Sequence, residues 1–262
     1  MDSPLSIPRS TSLIRTALLA IVCAVAGRGA AFAQPIVQND RWSVNVSVGL
    51  QLTSTTFDQV ARPIIYDEPA TLLTTHTMQG STVKIDLGGA IRIAGDFGVG
   101  VSYVRYAPGD TATMSAQIPH PILINQSRTV INSPEGLQRS ESALHFAAQW
   151  TIPVATRVDL VIFGGPSLVN VSQDLVTGIV LAPEAPPYAA VVISKTVVDH
   201  PSQHAWGAHV GADVSYAVTP VVGVGVTARF TRASLEVQSG GSTIDIGGGG
   251  LQVVAGARLR FP

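Results

Sequence analysis

The chain has 262 residues, of which 46% are hydrophobic and only 13% are charged, and its formal net charge is −1. An average soluble domain has roughly 25% charged residues, and the mean hydropathy of this chain is high, at +0.33. The composition excludes a disordered chain and a basic nucleic-acid-binding protein. Beyond residue 33 no apolar run approaches the roughly 18 residues that a membrane-spanning helix requires. A helical membrane protein is therefore excluded as well.

The first 33 residues have the layout of a secretory signal peptide. Arg9 and Arg15 precede an apolar stretch over residues 17–26. The sequence Ala-Phe-Ala at 31–33 then places small residues at the two positions that a signal peptidase reads. We expect cleavage after this sequence, which leaves residues 34–262 as the mature chain.

From residue 41 onward, apolar and polar residues alternate in eight segments. In the first segment Trp42, Val44 and Val46 share one face, and Ser43 and Asn45 lie on the other. A period of two residues is that of a β-strand with one apolar face. The predicted strands cover residues 42–52, 83–93, 97–103, 144–152, 157–171, 206–216, 222–230 and 251–261.

The connections between the predicted strands alternate between short and long. Tight links join strands two and three, four and five, and six and seven, at residues 94–96, 153–156 and 219–220. The other connections are long and cover residues 53–80, 107–139, 172–204 and 231–248. Short turns at one end and long loops at the other are typical of outer-membrane barrels. Residues 34–262 are thus predicted to form an all-β fold, an eight-stranded antiparallel up-and-down transmembrane β-barrel with four long extracellular loops.

The apolar face of the strands is predicted to point outward, toward lipid. The opposite face is mostly Gly, Ala, Ser and Thr, which suits the narrow interior of an eight-stranded barrel. A soluble barrel would place its apolar face inside and expose Lys and Glu. Aromatic residues near both strand ends support the membrane orientation, because membrane barrels have interfacial aromatic girdles. The predicted girdles contain Trp42, Phe97, Trp150, Tyr216 and Phe261 at the periplasmic end and Tyr103, Trp206 and Phe230 at the other end.

The charged and amide side chains of the inward face form the candidate site. The residues predicted to point into the lumen are Lys84, Asp86, Arg92, His145, Gln149, Asp159, His209, Asp213, Arg229, Arg258 and Arg260. Charges in a narrow lumen must pair or remain hydrated. A salt-bridged plug that closes the barrel is the favoured interpretation, and a narrow pore that uses these groups for selectivity is the alternative. No serine or cysteine nucleophile accompanies the histidines in a recognisable motif, so no catalytic residue is predicted.

Taken together, these features resemble the OmpA/OmpX-like family of small outer-membrane β-barrels. The resemblance covers residues 41–261 and depends on the eight strands, the loop asymmetry, the Gly-Gly-Pro-Ser stretch at 164–167 and the final strand Leu251–Phe261. In that family the assembly machinery reads the aromatic residue that ends the last strand, whereas here Pro262 follows Phe261. The resemblance implies a location in the cell outer membrane, with outer-membrane lipid and the barrel-assembly machinery as partners.

Two of the long loops are predicted to project as hairpins. In residues 172–204, β-prone runs flank a proline-rich turn at 183–187. In residues 107–139, the runs 114–118 and 122–124 flank a similar break at 119–121. Projecting strands expose edges that can pair with an incoming strand. This favours binding of an extracellular protein or another surface ligand, and loops that only shield the barrel mouth are the alternative.

The histidines of the long loops are the remaining candidates for chemistry. His76, His120, His200 and His204, with Asp199, fall on the loop side, but spacing within long loops is weak evidence for a shared metal. No metal and no cofactor are therefore predicted. We predict a non-enzymatic structural or interaction protein that presents surface loops for adhesion or envelope integrity. A small passive pore and a lipid-modifying outer-membrane enzyme are the alternatives.

Overall fold

The computed structural model describes residues 41–78, 83–239 and 242–262. The predicted signal peptide, residues 1–33, lies outside these ranges. Within them, no helix is long and apolar enough to cross a membrane.

Eight of the described strands close into an antiparallel barrel, as the sequence predicts. The sixteen described strands are numbered in chain order, so the barrel strands do not have consecutive numbers. In their order around the barrel they are β1 (Trp42–Gln51), β6 (Val83–Ala94), β7 (Phe97–Tyr106), β10 (Arg139–Ala155), β11 (Val158–Gln173), β14 (Ser202–Ala217), β15 (Val222–Ser239) and β16 (Ser242–Phe261). β16 pairs with β1 and completes the ring. We call the end with the three short turns the turn end, and the opposite end the loop end.

The strand register is staggered around the barrel by an even number of residues. Starting at Trp42, the residues that lie opposite one another on successive strands are Ile91, Val99, Ala148, Gly164, Val210, Phe230 and Leu251. Across the closing seam Trp42 pairs with Phe261, ten residues beyond Leu251 on the same strand. Since side chains alternate with a period of two, an even stagger keeps inward residues inward on both sides of the seam.

Beyond the loop end, the barrel strands continue into smaller sheets. One sheet has four strands, in the order β2 (Thr55–Ala61), β5 (Thr71–Met78), β8 (Asp110–Pro119) and β9 (Ser127–Asn132). Two hairpins accompany it, β3 (Ile64–Ile65) with β4 (Glu68–Pro69) and β12 (Leu175–Leu181) with β13 (Ile193–Asp199). We call these eight strands and their connections the loop domain.

The structure corrects two of the predicted loop boundaries. Residues 231–248, predicted as a loop, continue the β15–β16 ladder up to the pair Ser239 and Ser242. In residues 107–139 a hairpin forms as expected, but its second strand is β9, whereas residues 122–124 lie in the turn. The predictions stopped where the outward face ceases to be apolar, although the ladder continues beyond that point.

The polarity of the two faces of the wall reverses near the loop end. On β15 the outward residues change from Phe230 to Arg232, while the buried inward residues change from Arg229 to Leu235. Toward the loop end, the outward face of other strands changes in the same way from Tyr103 to Arg105, Leu144 to Ser142, Leu168 to Asn170 and Trp206 to His204. This is the pattern of a wall whose lower part faces an apolar medium and whose upper part faces water.

Below this reversal, the outside of the barrel is a continuous band of apolar side chains. All eight predicted girdle aromatics are exposed, by 42–66% of their surface. Trp42 pairs with Phe261, and Phe97 with Trp150, at the turn end. A soluble monomer rarely exposes a contiguous apolar patch of more than a few hundred Å². The band therefore requires an apolar environment.

The loop domain, in contrast, has an apolar core of its own. Leu72, Met114 and Ile118 of the four-stranded sheet are fully buried together with Val176 of β12. The sheet and the β12–β13 hairpin both contribute to this core. The long loops are thus packed into one folded unit.

The β1–β16 seam supplies a test of the closed barrel. A Cβ atom on Gly256 would overlap the backbone carbonyl oxygen of Val46 on the neighbouring strand. We expect Gly256→Ala to lower the free energy of unfolding by about 1–3 kcal/mol, the usual cost of overpacking. Urea titration followed by the mobility difference between unboiled and boiled samples on a gel measures this change. Gly247→Ala, on the same strand with open space around the new methyl group, is the matched control. Equal unfolding midpoints for the two variants would contradict the packing of the seam.

Candidate functional site

The structure directs all the predicted lumen residues toward the barrel interior. Eight of them are buried, namely Lys84, Asp86, His145, Asp159, His209, Arg229, Arg258 and Arg260. The half-buried ones are Arg92, Gln149 and Asp213, and all three line an internal cavity. Their side chains group into three layers between the turn end and the loop end.

The turn-end layer contains two arginine–aspartate pairs. Arg258 on β16 forms an ion pair with Asp213 on β14, and its Nη2 atom donates to Thr227 Oγ1 at 2.8 Å. Thr227 in turn donates to Asp213 at 2.5 Å. Arg260 Nη1 lies 2.9 Å from Asp159 Oδ2 of β11. Each aspartate of this layer is therefore held by an arginine of the last strand.

A cavity of about 140 Å³ lies among these pairs in the turn-end half of the lumen. Its lining extends to Arg41 and Arg92 near the strand ends. Gly98, Gly100 and Ala147 form part of the wall, and a Cβ atom on Gly100 would overlap the side-chain amide of Gln149. Small residues on the inward face thus create the space.

The middle layer closes the lumen above the cavity. Arg229 Nη1 lies 2.8 Å from Asp86 Oδ2, and Asn45 donates to the other carboxylate oxygen of Asp86 at 3.2 Å. The guanidinium carbon of Arg229 lies 5.5 Å from the centre of the Phe163 ring. Phe163, one of the residues that interrupt the alternation in the fifth predicted strand, therefore points inward and packs against this ion pair.

A serine between two histidines completes the middle layer. Ser167 Oγ lies 2.7 Å from His145 Nδ1 and 2.9 Å from His209 Nδ1. Ser167 was not among the predicted lumen residues, although it has the inward parity of Asp159 and Phe163 on the same strand. The hydroxyl is fully buried, so we interpret the trio as a hydrogen-bonded brace across the lumen.

The loop-end layer combines the predicted lumen residue Lys84 with Arg139, which was predicted to lie in a loop, and with Tyr106 and Glu141, which were assigned to no predicted element. The Tyr106 hydroxyl donates to Glu141, which also forms an ion pair with Arg139. Lys84 is fully buried with its Nζ atom 3.5 Å from the centre of the Tyr106 ring, a cation–π contact. Extending the parity of His145 back along β10 to Glu141 would have identified this residue from the sequence.

A chain of buried hydrogen bonds runs from this layer into the loop domain. Arg139 donates to Gln173 at 3.3 Å, and Gln173 donates to Asp110 at 2.8 Å. Asp110 lies 2.8 Å from His76 Nδ1, and Nε2 of the same ring lies 3.1 Å from Gln59 Oε1. The lumen and the loop domain therefore share one polar network.

The loop histidines occupy separate places. His76 uses both ring nitrogens in the network described above, while His200 Nδ1 lies 2.6 Å from Asp174. His120 Nδ1 accepts backbone N–H groups of its own turn at 3.1 and 3.2 Å. Over residues 41–78, 83–239 and 242–262, no group of three His, Cys, Asp or Glu side chains could hold a metal ion.

Three loop tips meet at the carboxylate of Glu184. Arg128 of β9 binds Glu184 in the β12–β13 connection, and Tyr66 of the β3–β4 turn donates to the same carboxylate at 3.1 Å. The hydrogen bond from Arg128 holds the pKa of Glu184 below its ordinary value, and burial raises the pKa of Tyr66. These contacts tie the ends of the loop domain together.

The four-stranded sheet of the loop domain ends in an uncovered edge. β9 is the edge strand, and β8 is its single partner among the described strands. Ile131 of β9 is 75% exposed. The edge of β12 is protected instead. The Gln59 side chain donates to the carbonyl of Val176 at 2.8 Å and accepts from its N–H at 3.1 Å. The β9 edge is thus open to hydrogen bonding in a way that β12 is not.

Comparisons with known proteins give matches among solved structures only. No protein-family model and no curated protein matches the chain. The chain is similar to Neisserial surface protein A, with 15% identity, a TM-score of 0.43 and coverage of 84% of this chain and 97% of that one. It is similar to the outer membrane protein OprG of Pseudomonas aeruginosa, with 8% identity, a TM-score of 0.46 and coverage of 86% and 97%. For the outer membrane protease OmpT of Escherichia coli, the identity is 8%, the TM-score 0.48 and the coverage 88% and 100%.

The Arg258–Asp213 pair supplies a test of the lumen network. Asp213→Ala leaves Arg258 without its carboxylate, so we expect the free energy of unfolding to fall by about 2 kcal/mol or more. Adding Arg258→Met should restore much of this loss, because the unpaired charge is then removed. Asp199→Ala, at an exposed acid of the loop domain, is the control. A double variant less stable than Asp213→Ala would show that the two residues do not act as a pair.

The Arg128–Glu184 pair makes the loop tips sensitive to acid. Because the pKa of Glu184 is lower in the folded protein than its ordinary value of 4.5, the pair stabilises the tips fully at neutral pH. This stabilisation decreases as the pH falls below about 4.5 and is lost below the folded pKa. Hydrogen exchange of the Tyr188 amide, which donates to the carbonyl of Ala185, should therefore accelerate in acid, after correction for the intrinsic rate. Glu184→Gln should remove this pH dependence. Glu135→Gln, at an exposed site, is the control and should keep it. If both variants show the same dependence of exchange rate on pH, the Arg128–Glu184 pair is not the cause.

Proposed function

We propose that the protein is an integral protein of a bacterial outer membrane whose closed barrel anchors an extracellular binding domain. The observation that carries this proposal is the reversal of polarity along the wall. On the turn-end side of Phe230 and Trp206 the outward face is apolar. On the loop-end side it is polar, and apolar side chains such as Leu235 are buried inside the strands. A barrel within lipid that continues into water needs this arrangement. The turn end then faces the periplasm and the loop domain faces the exterior.

The last strand supports assembly by the outer-membrane machinery. β16 ends at Phe261, which is outward and 42% exposed, at the turn end of the closing seam. An exposed terminal aromatic residue at this position is accessible to a factor in the periplasm. Outer-membrane lipid and the barrel-assembly machinery are therefore the partners that we propose for the barrel.

The layered lumen favours a closed barrel over a pore. Three layers of ion pairs and hydrogen bonds lie between the turn end and the core of the loop domain. Purified protein reconstituted in planar bilayers should give no steady single-channel currents, because an ion would have to break these pairs to pass. Reproducible conductance steps of constant size would overturn the closed barrel and restore the passive pore as the better function.

The loop domain supports a role in binding an extended polypeptide. β9 pairs with a described strand along one edge only, which leaves the backbone groups of its other edge open, next to the exposed side chains of Thr129 and Ile131. An extended segment can add to such an edge through main-chain hydrogen bonds. The joined loop tips hold the edge in place, which lowers the entropic cost of binding. No enzymatic step is part of this proposal.

Lysine substitutions on β9 test the proposed edge. The probe is a synthetic peptide with the sequence of β8, Asp110–Pro119, and binding to the purified full chain is followed by fluorescence polarisation. We expect saturable binding that weakens about tenfold in the double variant Thr129→Lys/Ile131→Lys, because charges on an edge strand oppose pairing. The matched control is Thr111→Lys/Thr113→Lys, which places the same charges at exposed positions of β8, in the part that pairs with β5. Equal binding by both variants, or no binding by the unmodified protein, would reject the edge as the site.

A further inference from the structure

We propose that the turn between β8 and β9 inserts into the surface of a second lipid bilayer, whose headgroups carry no net charge. The turn covers residues 120–126, and we call it the apolar tip. It is a different surface from the β9 edge, which is proposed above to bind a polypeptide. The direction of the tip, away from the membrane that holds the barrel, rests on the proposed function.

The apolar tip lies at the end of the loop domain that is remote from the barrel. β8 begins at Asp110, soon after β7 ends at Tyr106, and it runs for ten residues to Pro119. A strand rises about 3.4 Å per residue, so the tip lies about 30 Å along β8 from its start. The tip is therefore placed to meet a surface that faces the loop domain.

Three consecutive apolar side chains of the tip are exposed to solvent. The exposed fractions are 65% for Ile122, 46% for Leu123 and 77% for Ile124. Single apolar residues are common on protein surfaces, whereas an exposed run of three is not expected unless it has a function. The β9 edge does not account for this run, because the run precedes β9 and belongs to the turn.

The neighbouring β3–β4 hairpin adds to this apolar surface. The backbone N–H of Asn125 in the tip donates to Glu68 of β4 at 3.5 Å. Ile64, on the paired strand β3, is 68% exposed, and Tyr66 in the turn between the two strands is exposed as well. Tyrosine is common at the boundary between a bilayer and water. The two turns together thus present more apolar surface than residues 122–124 alone.

Hydrogen bonds within the turn hold the apolar tip in shape. His120 Nδ1 accepts the N–H groups of Ile122 and Leu123 at 3.2 and 3.1 Å. The N–H of His120 donates to the carbonyl of Gln126 at 2.8 Å, and the N–H of Gln126 donates to the carbonyl of Leu123 at 3.4 Å. Pro121 has no N–H group to satisfy. Since backbone groups that enter an apolar medium need internal partners, the tip can enter a bilayer without leaving these donors unpaired.

The composition of the apolar tip favours lipid over a protein partner. Residues 121–127 carry no charge, and Arg128, which follows them, is paired with Glu184. An uncharged tip complements a bilayer of zwitterionic lipid and has nothing to steer it toward a charged partner. The residues that contribute most at protein interfaces are Trp, Tyr and Arg, and leucine is under-represented there. The aliphatic side chains of residues 122–124, in contrast, transfer favourably into hydrocarbon.

Flotation with protein-free phosphatidylcholine vesicles tests the proposal. The full chain is first reconstituted into lipid nanodiscs, which cover the barrel, and the share that floats with added vesicles is measured in a density gradient. We expect vesicle binding to weaken at least about tenfold in Leu123→Asp/Ile124→Asp, since each large apolar side chain that leaves water stabilises binding. Val180→Asp/Val197→Asp, at exposed valines of the β12–β13 hairpin, adds the same charges as a matched control and should bind like the unmodified protein.

A fluorophore on the apolar tip measures insertion directly. The single cysteine of the sequence, Cys23, lies in the predicted signal peptide, so Leu123→Cys can be labelled at one position. Vesicle lipids brominated in their acyl chains should quench this label and should not quench a label on Val197→Cys. Mobility without boiling checks that each variant is folded, and binding of the β8 peptide should be the same in all of them.

Three results would overturn insertion of the tip. One is the absence of flotation by the unmodified protein although it enters nanodiscs and binds the β8 peptide, which would leave the proposed function intact and make a protein the occupant of the tip. Another is equal vesicle binding by the tip variant and its control. The third is binding that requires anionic lipid, which would make charge the cause. Failure of the chain to enter nanodiscs would overturn the membrane barrel itself, and the second bilayer with it.

Discussion

Closure of the ladder between β1 and β16 is the contact on which the rest of the structure depends. A sheet that faces an apolar medium cannot leave backbone N–H and C=O groups unpaired, so its first and last strands must meet. Here they do so from the pair Trp42 and Phe261 to the pair Gln51 and Gln252. Gly256 permits the close approach, because any side chain there would overlap Val46. Closure then determines the narrow lumen in which the charged side chains must find partners.

The narrow lumen and the folded loop domain are consequences of the same alternation. Inside the apolar band the inward residues are polar and pair across the barrel, as Arg258 does with Asp213. Beyond the band the inward residues of β15 are apolar and build a core, as Leu235 and Val237 do, whereas Arg139 and Glu141 of β10 continue the polar network. The buried chain from Arg139 through Asp110 to His76 joins the two regions. The loop domain is thus anchored to the barrel by polar contacts as well as by its strands.

Much of the barrel is predictable from the sequence because parity is a local property. Alternation around Trp42 or Leu251 is enough to place a strand and to say which residues face inward. Where the outward residues become polar, alternation no longer identifies a membrane-facing strand, and the predicted strands end too early. The prediction therefore missed the upper part of β15 and β16 and the inward Glu141, whose neighbours Ser140 and Ser142 do not look like a membrane face. Ser167 was missed for another reason, since a single serine within an apolar strand has no local signal of its two histidine partners.

The sequence by itself determined the eight barrel strands, their up-and-down order and the inward parity of the charged residues, since these follow from a period of two and from turn lengths. Only the tertiary structure decided which charges meet. Arg258 reaches Asp213 across 45 residues of sequence, and Arg139 reaches Gly247 across 108, because the stagger of the closed barrel sets their heights. The tertiary structure also decided that the long loops fold together, with Arg128 and Glu184 joined across two loops and the outer edge of β9 left without a partner among the described strands. Such contacts depend on the distance between strands in space, which no local pattern contains.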